Sequence, residues 1–141
     1  MRIVFTEELS IGEAEGDENY MFGNSIAFNT DDEGNFYVAD FDSNRILKYD
    51  PEGKHLHTIG REGQGPGEFR TLSVPRFDKD NNLYITDSMN QRVSFFDQDG
   101  KYIAHFKTLV PLFFSKNGKA YDVADEDGCK FVKRCSFEIQ E

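Results

Sequence analysis

Positive charge is scarce in this sequence: 16 lysines and arginines stand against 26 aspartates and glutamates, for a net charge of −10. A surface of that sign repels phosphate backbones and anionic lipid, so nucleic acid is not an expected partner. The excess acid reads most simply as solubility, and its functional version is a taste for cations or basic partners. No apolar run approaches the roughly 20 residues of a membrane helix, so membrane insertion is not expected either. The opening, Met1 to Gly12, alternates apolar and polar residues and carries Glu7 and Glu8, unlike the apolar heart of a secretion signal. Nowhere do apolar residues recur at helical spacing for about ten residues.

Cysteine is limited to Cys129 and Cys135. Both fall on one expected strand, where six residues span about 20 Å. A disulfide needs Cα atoms within about 7 Å, so the two are not expected to bridge each other. Reduced thiols in a cytoplasmic protein follow, with a bridge to another chain left open. Histidine is limited to His55, His57 and His105, spread over expected outer strands rather than clustered as a zinc site requires. What the chain does have is aromatic weight, 14 Phe and 6 Tyr in 141 residues. That is too much for disorder and enough for one domain with a core.

The chain also overlays itself. Shifted by 47 residues, Asn35–Lys54 (NFYVADFDSNRILKYDPEGK) lands on Asn82–Lys101 (NLYITDSMNQRVSFFDQDGK). Tyr37, Asp40, Arg45, Asp50, Gly53 and Lys54 meet identical residues, and Phe36, Val38, Ile46 and Tyr49 meet like ones. Each unit reads as short strands split by turns: Ser25–Phe28, Phe36–Ala39, Arg45–Tyr49 and His55–Gly60, with turns at Asp31–Gly34 and Asp50–Gly53. Four strands per repeat is the grammar of propeller blades.

The ends complete the count. Leu9-Ser10-Ile11-Gly12, then an acidic loop and Met21-Phe22, matches His57-Thr58-Ile59-Gly60, then a loop and Glu68-Phe69. At the far end Val110–Phe114, Ala120–Ala124 and Lys130–Ile139 read as three strands. The expected fold is all-β, a β-propeller with three four-stranded blades per chain, half of a six-bladed ring. Its expected parts are a lone fourth strand with its loop over residues 1–22, blades at 23–69 and 70–108, and three strands at 109–141. Three blades cannot close on themselves. The first strand, about Arg2–Ile11, is the fourth strand that a last blade lacks, so a homodimer exchanging these strands is expected.

From Tyr37-Val38-Ala39-Asp40 through Asn44-Arg45-Ile46-Leu47-Lys48-Tyr49-Asp50 and Gly53 the chain resembles an NHL repeat. The glycine-rich Ile59–Phe69 is similar to the loop between blades in bacterial and archaeal six-bladed propellers of that group. The resemblance spans about Ile3 to Ile139 and implies the fold more than any activity. Some members of the group are peptidyl-hydroxyglycine lyases with metal-binding histidines near the channel. No histidine here holds an inner-strand position, so that activity is not carried over.

In such a ring the loops after second and fourth strands share one face. Loops on a rigid frame are where binding is commonly placed. Phe41, Asp42, Asn44, Arg61, Gln64, Arg70, Met89 and Asn90 are therefore the expected contact residues for an unknown protein or small-molecule ligand. Asp40 with Arg45, repeated as Asp87 with Arg92, is expected to be structural, because a binding site seldom needs one copy per blade. Asp78–Asn82 and Asp97–Gly100 faintly resemble calcium loops, but the first lacks the sixth-position glycine and has Met89 where the bidentate glutamate belongs. Gly63–Gly67 lacks the Lys-Ser/Thr end of a phosphate cradle. No catalytic set and no resident cofactor or metal is expected, calcium being the nearest candidate. Two functions survive: a non-catalytic binding propeller, and a metal-dependent lyase or lactonase with carboxylates in the channel.

Overall fold

Four aspartate turns set the strand lengths. Asp31, Asp50, Asp78 and Asp97 each accept, through Oδ1, backbone N–H bonds from the residues two and four further on, all at 2.9–3.0 Å. The residue three positions after each aspartate has positive φ: Gly34 at 84°, Gly53 at 89°, Asn81 at 64° and Gly100 at 79°. Such a turn reverses the chain at once and aligns the returning strand. The computed structural model describes residues 2–107 in full and, beyond them, the backbone of 113–114, 119–126 and 129–136.

The strands form three antiparallel meanders. The first sheet is β1 (Ile26–Thr30), β2 (Phe36–Asp40), β3 (Arg45–Tyr49) and β4 (His55–Ile59). The second is β5 (Arg76–Phe77), β6 (Leu83–Asp87), β7 (Arg92–Phe96) and β8 (Tyr102–Lys107). The third is β9 (Phe113–Phe114), β10 (Lys119–Glu126) and β11 (Cys129–Ser136), with β11 at one edge. The expected strand over Ser25–Phe28 begins one residue later and runs on to Thr30, because β2 offers partners from Asp40 back to Phe36. The expected strand residues 110–112 and 137–139 lie outside the described residues. Cys129 and Cys135 do fall on the single strand β11.

Alternation assigns each sheet two faces. One face of the first sheet buries Tyr37, Ala39, Ile46 and Ile59 against Leu83, Ile85 and Phe96 of the second and against Phe69 and Leu72 of the segment between the sheets. The Tyr37 ring stands edge-on to Phe77 at 4.8 Å, and Lys48 crosses the same seam to donate to the Gln98 carbonyl at 2.7 Å. The opposite face of the first sheet carries Val38, Leu47 and Tyr49, covered by Ile11, Tyr20 and Phe22. Beyond that cover Phe28 is 62% exposed and Ile26 46% exposed, on the edge strand β1, whose partner β2 is core.

Residues 2–10 belong to the expected lone fourth strand, whose expected partner is in a second copy. They form no ladder with any described strand of this chain and are exposed along their length. Leu9 and Ile11 lie over the Gly53 turn on the face of the first sheet, where a Cβ on Gly53 would meet both side chains at 3.3 Å, as a Cβ on Gly100 would meet His57 and Ile59 of β4.

The hairpins joining β2 to β3 and β6 to β7 close on Asn44 (φ 49°) and Gln91 (φ 52°). Asparagine tolerates the left-handed region, whereas glutamine carries a cost there of about 1 kcal/mol. Gln91 is exposed. Gln91→Gly is expected to raise stability by about 0.5 kcal/mol, the relief of strain less the added freedom of the unfolded chain. A lower urea midpoint would mean that the Gln91 side chain holds something.

Candidate functional site

The loops after β4 and after β6 meet at a clamp. Asp87 closes β6 directly opposite Arg92 at the start of β7. The Asp87 carboxylate is fully buried and accepts from four donors: Arg70 N at 2.9 Å, Thr71 N at 3.0 Å, Asn90 N at 3.3 Å and Asn90 Nδ2 at 2.8 Å. Arg92 donates to the carbonyls of Gln64 at 2.9 Å, Gly65 at 2.6 Å and Glu68 at 2.8 Å. The planar guanidinium suits this work, because its fork reaches several oxygens at once. Together the pair fixes the main chain of residues 61–71 against the second sheet.

The first sheet repeats the device. Asp40 accepts from Gly23 N at 3.3 Å and lies 3.5 Å from Arg45. Arg45 donates to the carbonyls of Glu18 at 3.1 Å and Met21 at 2.8 Å. The Asn24 amide goes to Asp42 at 2.6 Å rather than to Asp40, so Asp40 Oδ1 has no hydrogen-bond partner. Tyr49 donates its hydroxyl to the Asn19 carbonyl, and burial pushes its pKa up to about 12, keeping it a neutral donor. The correspondence extends to packing: Phe22 meets Tyr49 at 6.2 Å as Phe69 meets Phe96 at 5.7 Å. Residues 11–22 therefore stand to the first sheet as residues 59–69 stand to the second.

The expected contact residues divide. Arg61 is 84% exposed and paired to Glu68, and Met89 is 57% exposed. Asp42, Gln64 and Arg70 are exposed as well. Phe41 is instead half-buried against the core, Asn44 is half-buried at a left-handed turn, and Asn90 donates to the Gly63 carbonyl at 3.0 Å as well as to Asp87. These three serve the frame, because each sits where its hairpin folds back on the preceding loop.

Other candidate motifs are occupied by the chain itself. Glu68 fills the hollow of the glycine loop and accepts from Gly65 N at 2.9 Å and from Arg61, which hold its carboxyl below the usual range. A second anion would meet that charge. Asp78 and Asp97 spend Oδ1 on their own turns. His55 and His57 lie on β4 and His105 on β8, the outermost strands. Among the described residues, no three His, Cys, Asp or Glu side chains gather as a metal site would require. Sequence reasoning passed over Lys48, which is 6% exposed and lies over the Tyr37 ring at 5.2 Å. Its signal was a lone lysine within an apolar strand whose counterpart 47 residues on is Phe95.

Solved structures share this architecture. An exported protein from Bacteroides fragilis superposes with a TM-score of 0.70 at 16% identity, over 94% of this chain and 40% of its own. A protein of unknown function from Bacteroides caccae gives 0.51 at 15% identity, over 67% of this chain and 36% of its own. The chain thus spans well under half the length of either neighbour. No curated protein matches significantly. No helix among the described residues is long and apolar enough to cross a membrane. A family model described as a 6-bladed β-propeller matches residues 17–128, and with paired meanders packed face to face and clamped through their loops, the chain belongs to that propeller family, DUF5128.

Proposed function

We propose that this chain is a non-catalytic binding scaffold, three blades of an NHL-type six-bladed ring that a second copy completes. One loop-rich face meets a protein or small ligand. The observation that carries this is the use of the repeated charges. Asp40, Arg45, Asp87 and Arg92 spend their hydrogen bonds on loop main chain, on each other or, for Asp87, also on the Asn90 side chain. The side chains of Arg61, Gln64, Arg70 and Met89 stay outward on a pinned frame, while the exposed Asp42 also holds the Asn24 amide. A frame pinned before the partner arrives lowers the ordering cost of binding. No cofactor is needed for that role.

The test is the double variant Arg61→Ala/Arg70→Ala. Its unfolding midpoint should stay within the shift of about 1 kcal/mol that an exposed ion pair supports. Partner capture from extracts of the source cells should fall at least tenfold. Unfolding would make the two arginines staples of the frame instead. Metal held in stoichiometric amount through dialysis against chelator would move the reading to a lyase or lactonase. Cell fractionation separates the cytoplasm, favoured by two cysteines spaced too far apart on one strand to bridge each other, from export, as the Bacteroides fragilis neighbour is described.

A further inference from the structure

Second and third strands pair with the same offset in all three sheets, the third running one pair further to Glu126↔Cys129, and this offset identifies what residues 2–11 are built to pair with. Asp40 stands opposite Arg45, Asp87 opposite Arg92, and Asp125 opposite Lys130. In the first sheet β3 then meets β4 as Ile46↔Ile59, Leu47↔Thr58, Lys48↔His57 and, after a one-residue bulge, Tyr49↔His55. The second sheet repeats this as Val93↔Phe106, Ser94↔His105, Phe95↔Ala104 and Phe96↔Tyr102. The third sheet has no described fourth strand, and β11 is its edge.

Residues 9–11 already occupy a fourth-strand place. A Cβ on Gly100 would meet His57 and Ile59, and a Cβ on Gly53 would meet Leu9 and Ile11, in the same order. The strand position of Ile59 is therefore that of Ile11, and Gly60 that of Gly12. Upstream, Ile3 is 66%, Val4 68% and Phe5 92% exposed, apolar surface that a lone chain does not keep in water.

Resting on the ring reading above, we infer that residues 2–11 pair antiparallel with β11 of a second copy in the register Ile11↔Phe131, Ser10↔Val132, Leu9↔Lys133 and Glu7↔Arg134, with Glu8 at the bulge. The charges agree with this placement. β11 carries Lys130, Lys133 and Arg134, and the segment brings Glu7 and Glu8. The second copy, rather than the same chain, follows from topology. Phe113 begins β9 six residues after β8 ends at Lys107, so the third sheet adjoins the second. Residues 9–22 cover the far face of the first sheet, on the other side of the sector. A two-fold axis brings each β11 to the other copy's segment and closes at two chains.

The experiment uses the whole chain with Cys129→Ser and Cys135→Ser, to which Ser10→Cys and Val132→Cys are added. Mild oxidation should give a covalent dimer, at least tenfold more than the off-register pair Leu9→Cys with Val132→Cys. Light scattering on the wild-type protein runs beside it. A wild-type dimer with no cross-link, or with equal cross-linking off register, overturns the pairing while the ring stands. A cross-link confined within one chain overturns the second copy. A wild-type monomer overturns both, and none of these outcomes bears on the Arg61 and Arg70 face.

Discussion

Alanine at Gly60 is expected to cost about 3 kcal/mol, the largest loss from a single added methyl group in the described fold. Two separate penalties meet there. The backbone sits at φ 82°, which costs a residue with a Cβ about 1 kcal/mol. The new Cβ would also lie 2.5 Å from Phe69 Cδ2 and closer still to Cε2. Phe69 is fully buried among Ile59, Leu72 and Phe96, so the ring has nowhere to retreat, and overpacking of this kind costs about 1–3 kcal/mol. Gly34→Ala isolates the first penalty. Its φ is 84°, but its nearest neighbour is Pro51 at 3.7 Å, so about 1 kcal/mol is expected. Urea unfolding of the two variants measures the difference. Equal losses would show that Phe69 moves aside without penalty and that the tight seam is not a source of stability.

Asp87→Ala comes next, at about 3 kcal/mol, because three backbone amides and one side-chain amide lose their acceptor together. The counterpart Asp40→Ala should cost about half as much. Asp40 accepts a single loop amide, at 3.3 Å, and its Oδ1 has no partner to lose. Asp87→Asn is the sharper variant, since it keeps the shape and turns one acceptor into a donor facing N–H groups. It should destabilise nearly as much as alanine. Trypsin offers a second readout: cleavage after Arg61 and Arg70 should accelerate in the Asp87 variants and not in Gly34→Ala. Similar losses at Asp40 and Asp87 would mean that the count of amides does not govern the clamp.

The strands were legible because their signals are local. β-branched and aromatic composition marked β2 and β3, and the turn aspartates with their glycines marked the reversals. The turn at Asp78 was legible too, although Asn81 holds the positive φ that glycine holds elsewhere. The clamp residues were visible as a repeat, but their targets were not. Arg92 seeks the carbonyls of Gln64, Gly65 and Glu68, and every residue has a carbonyl. Asn90 looked like a contact residue because its position on a hairpin was right, while its amide was already committed across the loop. The opening segment was legible as a fourth strand only by analogy with Ile59-Gly60. A strand is completed by its neighbour, and that neighbour is not written in the segment itself.

The clamps also separate two kinds of change. They hold the loops by main-chain atoms, so they do not ask what the loop side chains are. Glu13–Asn24 (EAEGDENYMFGN) and Arg61–Thr71 (REGQGPGEFRT) have little sequence in common, yet an aspartate and an arginine grip both. Beyond the buried Phe69, the half-buried Phe22 and the glycines that admit them, a new loop sequence can be grafted onto the same sockets at small cost to folding. A propeller of this kind can acquire new specificities as a drill accepts new bits, with the chuck left unaltered.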